Sequence, residues 1–144
     1  MPNDLNEALV RRRVDELAKA IRAKDIDGVA AFYAHDVVSF DIEPPLRYAG
    51  VERKRRAWEA VFAAYSGAFD YEIDDSTVVA ERDLAFVCSL NHIRGTLETG
   101  RVTELWLRWT ACFRLVEGEW LIVHDHVSVP ADLAHGRALS SLTP

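Results

Sequence analysis

Apolar residues in the first half of the chain recur at the spacing of α-helices. In the first stretch they lie three or four residues apart and share one helical face: Val10, Val14, Leu17 and Ile21. After Gly50 a second set has the same spacing: Trp58, Val61, Phe62 and Tyr65. A short helix is predicted between them at residues 27–33, and the basic run of residues 53–56 is predicted to be solvent-exposed. The pattern therefore predicts three helices, the last of which ends at Gly67.

The second half of the chain has the alternation of β-strands. One strand is predicted earlier, near residues 37–42, and four long ones follow at residues 71–80, 84–97, 102–116 and 120–129. Short turn-forming segments separate these four strands. Helices followed by such a meander predict an α+β fold with the helices on one face of a curved sheet. We expect a single domain over residues 1–144, with a core of about residues 5–130 and a loose extension at 131–144.

The composition is that of a globular protein and argues against several partners. The chain of 144 residues has 17 basic and 23 acidic residues, which gives a formal charge of −6. Nucleic acids and membrane surfaces attract positively charged proteins, so neither partner is expected. No apolar run has the length of a membrane span or the form of a signal peptide, so a cytoplasmic protein is expected. The two cysteines are too few for a disulfide framework.

The last two strands indicate which residues face a pocket. In the strand at 102–116 one alternating set is wholly apolar and is predicted to face the helices: Leu105, Leu107, Trp109, Ala111, Phe113 and Leu115. In the last strand the apolar set contains one carboxylate: Leu121, Val123, Asp125, Val127 and Val129. If this set faces inward, desolvation disfavours the charged form of Asp125 and favours proton exchange. The alternative is a structural role, in which Asp125 only accepts hydrogen bonds.

The opposite face of these two strands combines aromatic, arginine and histidine side chains: Trp106, Arg108, Thr110, Trp120, His124 and His126. Such a surface is typical of a protein interface, and we expect it to form a homodimer. His124 and His126 point the same way, but no further ligands complete a metal site, so no metal is expected. In the strand at 84–97 the sequence does not decide which alternating set of side chains faces inward. Ser89 and Asn91 reach the cavity if Val87 faces inward.

Two segments resemble SnoaL-like proteins of the nuclear transport factor 2-like superfamily. Residues 118–130 contain the pattern Gly-x-Trp-x-Ile-Val-His-x-His-x-Ser, which also resembles the association domain of calcium/calmodulin-dependent kinase II. Residues 25–36 resemble the second-helix segment of ketosteroid isomerases and SnoaL-like cyclases. The resemblance implies a cone-shaped α+β fold, in which a curved antiparallel sheet wraps around N-terminal helices and leaves an apolar pocket. It also implies dimers formed through the outer sheet face.

The same resemblance implies a carboxylate base without the usual oxyanion donors. In ketosteroid isomerases the base is an Asp eight residues after the Tyr of a Tyr-Ala-x-Asp segment, and Asp41 occupies that place here. The positions of two oxyanion donors correspond to Leu17 and Ala111, whose side chains cannot donate. A third donor position corresponds to Trp58, which has an indole N–H. Because such donors stabilise the transition state, ketosteroid isomerisation is not expected unless Asp125 or Trp58 substitutes for them.

Three functions remain open. In the first, the protein is a cofactor-independent isomerase, cyclase or dehydratase, in which Asp41 abstracts a proton next to a carbonyl group and Asp125 or Trp58 binds the oxyanion. In the second, it is a non-catalytic dimer that binds a small apolar molecule or associates with a partner. In the third, it is a structural module with a filled pocket. Eight residues are expected to line the pocket: Leu17, Trp58, Phe62, Leu107, Trp109, Ala111, Val123 and Val127.

Overall fold

Three helices and eight strands form the part of the chain that the computed structural model describes, residues 2–144. Met1, the first residue of the predicted domain, lies outside the described residues. The helices are α1 (Pro2–Arg22), α2 (Ile26–Ala30) and α3 (Val51–Ala64). The strands are β1 (Tyr33–Phe40), β2 (Tyr48–Ala49), β3 (Asp70–Glu81), β4 (Leu84–Thr96), β5 (Val102–Val116), β6 (Glu119–Ser128), β7 (Ala131–Asp132) and β8 (Arg137–Ala138).

Six of the strands form one open sheet in the order β2-β1-β6-β5-β4-β3. Neighbouring strands are antiparallel except β1 and β6, which run parallel. The sheet is therefore mixed and not wholly antiparallel as expected. After β1 the chain pairs β2 with one edge of that strand. It then passes through α3 and strands β3 to β5, and it reaches the other edge of β1 only with β6. Parallel pairing requires a long connection of this kind. The predicted α+β cone fold is confirmed.

The inner face of the sheet holds the first helix. The four residues of the predicted helical face are at most 3% exposed: Val10, Val14, Leu17 and Ile21. They share one core with apolar residues of the inner strand faces, among them Val87, Phe113 and Ile122. The end of α1 is held against β3, because Arg22 Nη1 donates to the carbonyl oxygen of Tyr71 at 2.8 Å. None of the helices in residues 2–144 has the length and apolar character needed to cross a bilayer.

A β-bulge interrupts the pairing of β5 with β6. Phe113 pairs with Ile122. The neighbouring residue of β5, Cys112, pairs with His124, so Val123 has no partner on β5. An extra residue in one strand reverses the alternation of inward and outward side chains beyond it. The bulge therefore allows side chains on both sides of Val123 to face the core although they are an odd number of residues apart.

This bulge corrects two predictions for the last strand. Trp120 was assigned to the outer face by the alternation, but it is 3% exposed and belongs to the core. Val123 was expected to face inward, but it lies at the bulge and is half-buried. Asp125 is 1% exposed and does face inward. A strict two-residue period cannot show where an extra residue shifts the register, which is why the two assignments failed.

The tail after Pro130 was expected to be a loose extension and contains a short ribbon. Its two strands, β7 and β8, pair antiparallel and lie outside the six-stranded sheet. The Leu139 N–H donates to the carbonyl oxygen of Pro130 at 2.8 Å and closes the ribbon at its base. The tail thus has local hydrogen-bonded structure of its own.

Candidate active site

A cavity of about 620 Å³ lies between α1, α3 and the inner face of the sheet. Its apolar lining comes mainly from the two helices and from strands β4 to β6: Leu17, Ile21, Val61, Ile93, Leu105, Leu107 and Val127. A few polar side chains reach the same space, among them Asp41, Lys54 and Asp125. A mostly apolar cavity with a small number of polar groups is the usual form of a small-molecule site.

The structure brings five of the eight predicted lining residues to this cavity: Leu17, Trp58, Leu107, Trp109 and Val127. The other three lie elsewhere. Phe62 packs beside Trp58 and Phe69 in the core, with ring centroids 5.7 and 6.1 Å away. Ala111 is fully buried among core residues, and Val123 lies at the bulge. A role of these residues in binding a ligand stays a prediction.

A buried lysine connects the two carboxylates that were predicted to be catalytic. The Lys54 ammonium group is 2.9 Å from Asp41 Oδ2 and 3.2 Å from Asp125 Oδ2. It also donates to Ser39 Oγ at 3.0 Å. The Lys54 side chain is only 2% exposed, so the expectation of an exposed basic run at residues 53–56 is wrong for this residue. Lys54 precedes Trp58 by four residues, and this spacing already placed it on the apolar face of the helix.

The surroundings of Lys54 keep its ammonium group charged. Burial by itself would lower the pKa of Lys54, but the charges of Asp125 and Asp41 and the nearby Tyr33 hydroxyl raise the pKa above its ordinary value. A lysine nucleophile requires the opposite arrangement, a pKa lowered toward neutrality. Lys54 therefore acts here as a fixed positive charge between two carboxylates.

The two carboxylates have different surroundings. Asp125 accepts a short hydrogen bond from Ser39 Oγ and another from Trp109 Nε1 at 3.3 Å. Its predicted isolation in an apolar cavity is corrected, because these donors and the lysine compensate its charge. Asp41 follows directly after β1 and accepts the backbone N–H of Ile42 at 2.8 Å. Its side chain is 21% exposed, so a molecule in the cavity can reach Asp41 more easily than Asp125.

Two buried tyrosines, Tyr33 and Tyr71, line the cavity. Tyr33 in β1 accepts a hydrogen bond from Trp58 Nε1 at 3.2 Å. Tyr71 in β3 accepts one from Asn91 Nδ2 at 2.8 Å. Within residues 2–144 neither hydroxyl proton has an acceptor, so each O–H can donate to a bound molecule. Burial raises the pKa of both tyrosines above its ordinary value, which keeps both hydroxyl groups protonated at neutral pH.

Inward side chains of β4 support Tyr71. The sequence alone did not decide which side chains of this strand face inward. Val87, Ser89 and Asn91 face the interior with exposures of 0%, 7% and 1%. The Ser89 hydroxyl donates to Asn91 Oδ1 at 2.7 Å. This bond fixes the orientation of the amide, and the amide nitrogen then points at the Tyr71 hydroxyl. Neither tyrosine was among the predicted site residues, because their donors lie on other elements of the chain.

The sequence matches the family model of the SnoaL-like domain over residues 10–132. The chain belongs to the SnoaL-like family. This SnoaL-like chain is similar over 98% of both chains to an NTF2-like protein of unknown function from Pseudomonas putida KT2440, with 30% identity and a TM-score of 0.88. A ketosteroid isomerase-like protein from Erwinia carotovora atroseptica is 25% identical, covering 85% of this chain and 94% of that one, with a TM-score of 0.72.

A third solved structure shares the fold of the SnoaL-like chain. It is the association domain of calcium/calmodulin-dependent kinase II from C. elegans, with 18% identity, 89% and 98% coverage of the two chains and a TM-score of 0.70. No curated protein matches the sequence. The predicted resemblance to SnoaL-like proteins, ketosteroid isomerases and this association domain is confirmed.

The outer face of the SnoaL-like sheet carries the residues predicted for a homodimer. Trp106 stacks on His92 with ring centroids 4.4 Å apart. The exposed Phe40 ring contacts His124 and His126 edge-on, at 4.8 and 5.8 Å. His124 Nδ1 donates a hydrogen bond to the carbonyl oxygen of Val38 at 2.6 Å. In the described part of the chain, no group of three or more His, Cys, Asp or Glu side chains is placed to bind a metal ion.

Proposed function

We propose that this SnoaL-like protein is a cofactor-independent enzyme that moves a proton next to the carbonyl group of a small, largely apolar substrate. Isomerisation, cyclisation and dehydration all begin with such a step. One observation carries the proposal: Tyr33 and Tyr71, whose hydroxyl protons have no acceptor within residues 2–144, line the same cavity as the partly exposed Asp41. Enolisation needs a base for the carbon-bound proton and donors for the negative charge that develops on oxygen.

In this mechanism Asp41 removes the proton. Together with Lys54 and Asp125 it forms a cluster of two carboxylates and one ammonium group, which has one net negative charge. Proton transfer to Asp41 makes this cluster neutral, while Lys54 keeps Asp125 as its counterion. Asp41 then returns the proton to another carbon in an isomerisation, or gives it to a leaving hydroxyl group in a dehydration.

The two tyrosines supply the oxyanion donors that the positions of Leu17 and Ala111 lack. Each hydroxyl accepts an N–H hydrogen bond from a neighbour, and such a chain of hydrogen bonds strengthens the outgoing O–H donor. Trp58 was predicted to donate directly to the oxyanion. In this mechanism it acts indirectly, because its indole N–H donates to the Tyr33 hydroxyl. Removal of a single oxyanion donor typically slows an enzyme by about a hundredfold to a thousandfold.

Hydrogen–deuterium exchange tests the proposal without knowledge of the natural substrate. The protein is incubated in deuterium oxide with small cyclic ketones and enones, and deuterium next to the carbonyl group is measured by NMR. We expect wild-type exchange that Asp41→Asn abolishes and that Tyr33→Phe and Tyr71→Phe each reduce by about a hundredfold or more. The control is Asp36→Asn, an exposed carboxylate of β1. Exchange that persists in Asp41→Asn would show that the base is wrong.

A second candidate is a non-catalytic dimer that binds a small apolar ligand or associates with a partner. The ion pair between Asp41 and Lys54 favours this second candidate, because the carboxylate proposed as the base is already bound to an ammonium group. Native mass spectrometry distinguishes the candidates: a dimer that retains an apolar molecule, without exchange of any ketone, supports this second function. A monomer would contradict the predicted interface, which comprises Trp106, Arg108, Thr110, His124 and His126. The homodimer and a cytoplasmic location stay predictions.

A further inference from the structure

The mouth of the cavity carries two arginines without acidic partners. Arg53 and Arg56 lie in the first half of α3, and both line the cavity. Within residues 2–144, no carboxylate oxygen is at ion-pair distance from either guanidinium group. The Arg53 guanidinium lies 4.0 Å from the ring centroid of Tyr48, which lines the same wall. This stacking holds the guanidinium in place at the mouth.

Arg55, the neighbouring arginine, differs from Arg53 and Arg56 because it has acidic partners. Arg55 lies between them in the sequence, makes a short ion pair with Asp27 and lies 3.5 Å from Glu59. It does not line the cavity. Glu43 is exposed at the same rim, so two arginines and one glutamate leave the mouth with a net positive charge.

The interior of the cavity has the opposite charge. Asp41 and Asp125 outnumber Lys54 in the charged cluster, and their side chains are 21%, 1% and 2% exposed in that order. An anionic group inside would meet two carboxylates, whereas at the mouth it would meet two guanidinium groups. Guanidinium groups bind carboxylate and phosphate oxygens through paired N–H donors. The charges therefore favour one orientation of a ligand that has one apolar and one anionic end.

We propose that the substrate is an amphipathic anion. Its apolar body carries the reacting carbonyl group into the cavity, and its terminal carboxylate or phosphate binds Arg53 and Arg56 at the mouth. The inference rests on the proposed function, because it names the substrate class for the same cavity. The two possible anions share one chemistry, the recognition of oxygen atoms by guanidinium groups.

Calorimetric titration of the whole protein with three matched probes tests this inference. The probes share a naphthalene body: naphthylacetate, the neutral naphthylacetamide, and naphthyl phosphate. We expect naphthylacetate to bind about tenfold more tightly than the amide, since charged partners strengthen hydrogen bonds. Added salt should reduce this preference, because the mouth is exposed to solvent. Tighter binding of naphthyl phosphate than of naphthylacetate would identify phosphate as the preferred anion.

Two variants locate the preference. In the double variant Arg53→Gln/Arg56→Gln we expect the acetate and the amide to bind within about twofold of each other. Arg55→Gln removes one positive charge from the same helix, away from the cavity, and should keep the tenfold preference. Equal binding of acetate and amide by the wild type would overturn the inference. A preference that survives in the double variant, or the failure of all three probes to bind, would overturn it as well.

The exchange experiment separates this inference from the proposed function. Exchange of neutral ketones by a protein that shows no preference for anions overturns the inference and leaves the enzymatic proposal standing. A preference for anions that depends on Arg53 and Arg56, without exchange of any ketone, supports the inference as a statement about binding and overturns the enzymatic proposal.

Discussion

The buried ammonium group of Lys54 offers the most direct test of the charged cluster. Lys54→Met keeps an unbranched side chain and removes the charge. Asp125, which is 1% exposed, then loses its counterion and keeps only the hydrogen bonds from Ser39 and Trp109. Removing one partner of a buried ion pair costs about 3–5 kcal/mol, because the remaining charge is left uncompensated. A loss of this size is a large part of the total stability of a domain, about 5–15 kcal/mol.

Urea unfolding at neutral pH, followed by tryptophan fluorescence, measures this loss. With a denaturant dependence of about 1–3 kcal/mol per molar urea, the midpoint should fall by about 2 M. The double variant Lys54→Met/Asp125→Asn removes both charges and should be more stable than Lys54→Met alone, because the buried carboxylate is gone. Arg55→Met is the matched control, since it removes a charge from the same helix whose side chain is 29% exposed, compared with 2% for Lys54. A Lys54→Met variant with a wild-type midpoint would refute the reasoning, and so would additive losses in the double variant.

Three further predictions concern stability. The free energy of unfolding should fall above about pH 10, where unfolded tyrosine releases its proton: burial raises the pKa of Tyr33 and Tyr71 in the folded state, so the stabilisation is present below that pH and is lost as pH rises. Tyr33→Phe should make the decline, measured by denaturant titrations at several pH values, shallower by up to about 1.4 kcal/mol per pH unit. Gly95→Ala should cost about 1–3 kcal/mol in thermal unfolding, because the new Cβ would lie 2.7 Å from Phe69 Cβ; unchanged stability would contradict this packing. Deletion of Val123 should prevent folding, as judged by circular dichroism, because it restores the strict alternation and turns one part of β6 outward.

Regular spacing accounts for the parts of the fold that the sequence predicted well. The apolar face of α1 and the inner row of β5 lie where periods of 3.6 and two residues place them. Asp41 came from the resemblance to ketosteroid isomerases, and the structure places it at the cavity. In each case the information lies in residues that are close together along the chain or in a short motif.

The features that were missed depend on contacts between distant residues. Tyr33 and Tyr71 become uncommitted donors only because Trp58 and Asn91, 25 and 20 residues away, supply their N–H bonds. Lys54 was read by its residue type, which is usually exposed, although its helical position placed it inside. A buried lysine becomes tolerable only when two carboxylates from other elements surround it, and no local pattern shows that.

The parallel pairing of β1 with β6 also has a consequence during synthesis of the protein. Ser39 and Asp125 are 86 residues apart and neighbours in register, so the interior around Lys54 stays incomplete until β6 has left the ribosome. Until then β5 is an open edge, a form of strand that invites pairing with other chains. Contacts between such distant segments also form slowly. We therefore expect the nascent chain to depend on chaperones until β6 is available, and fragments that end after β5 to aggregate or be degraded.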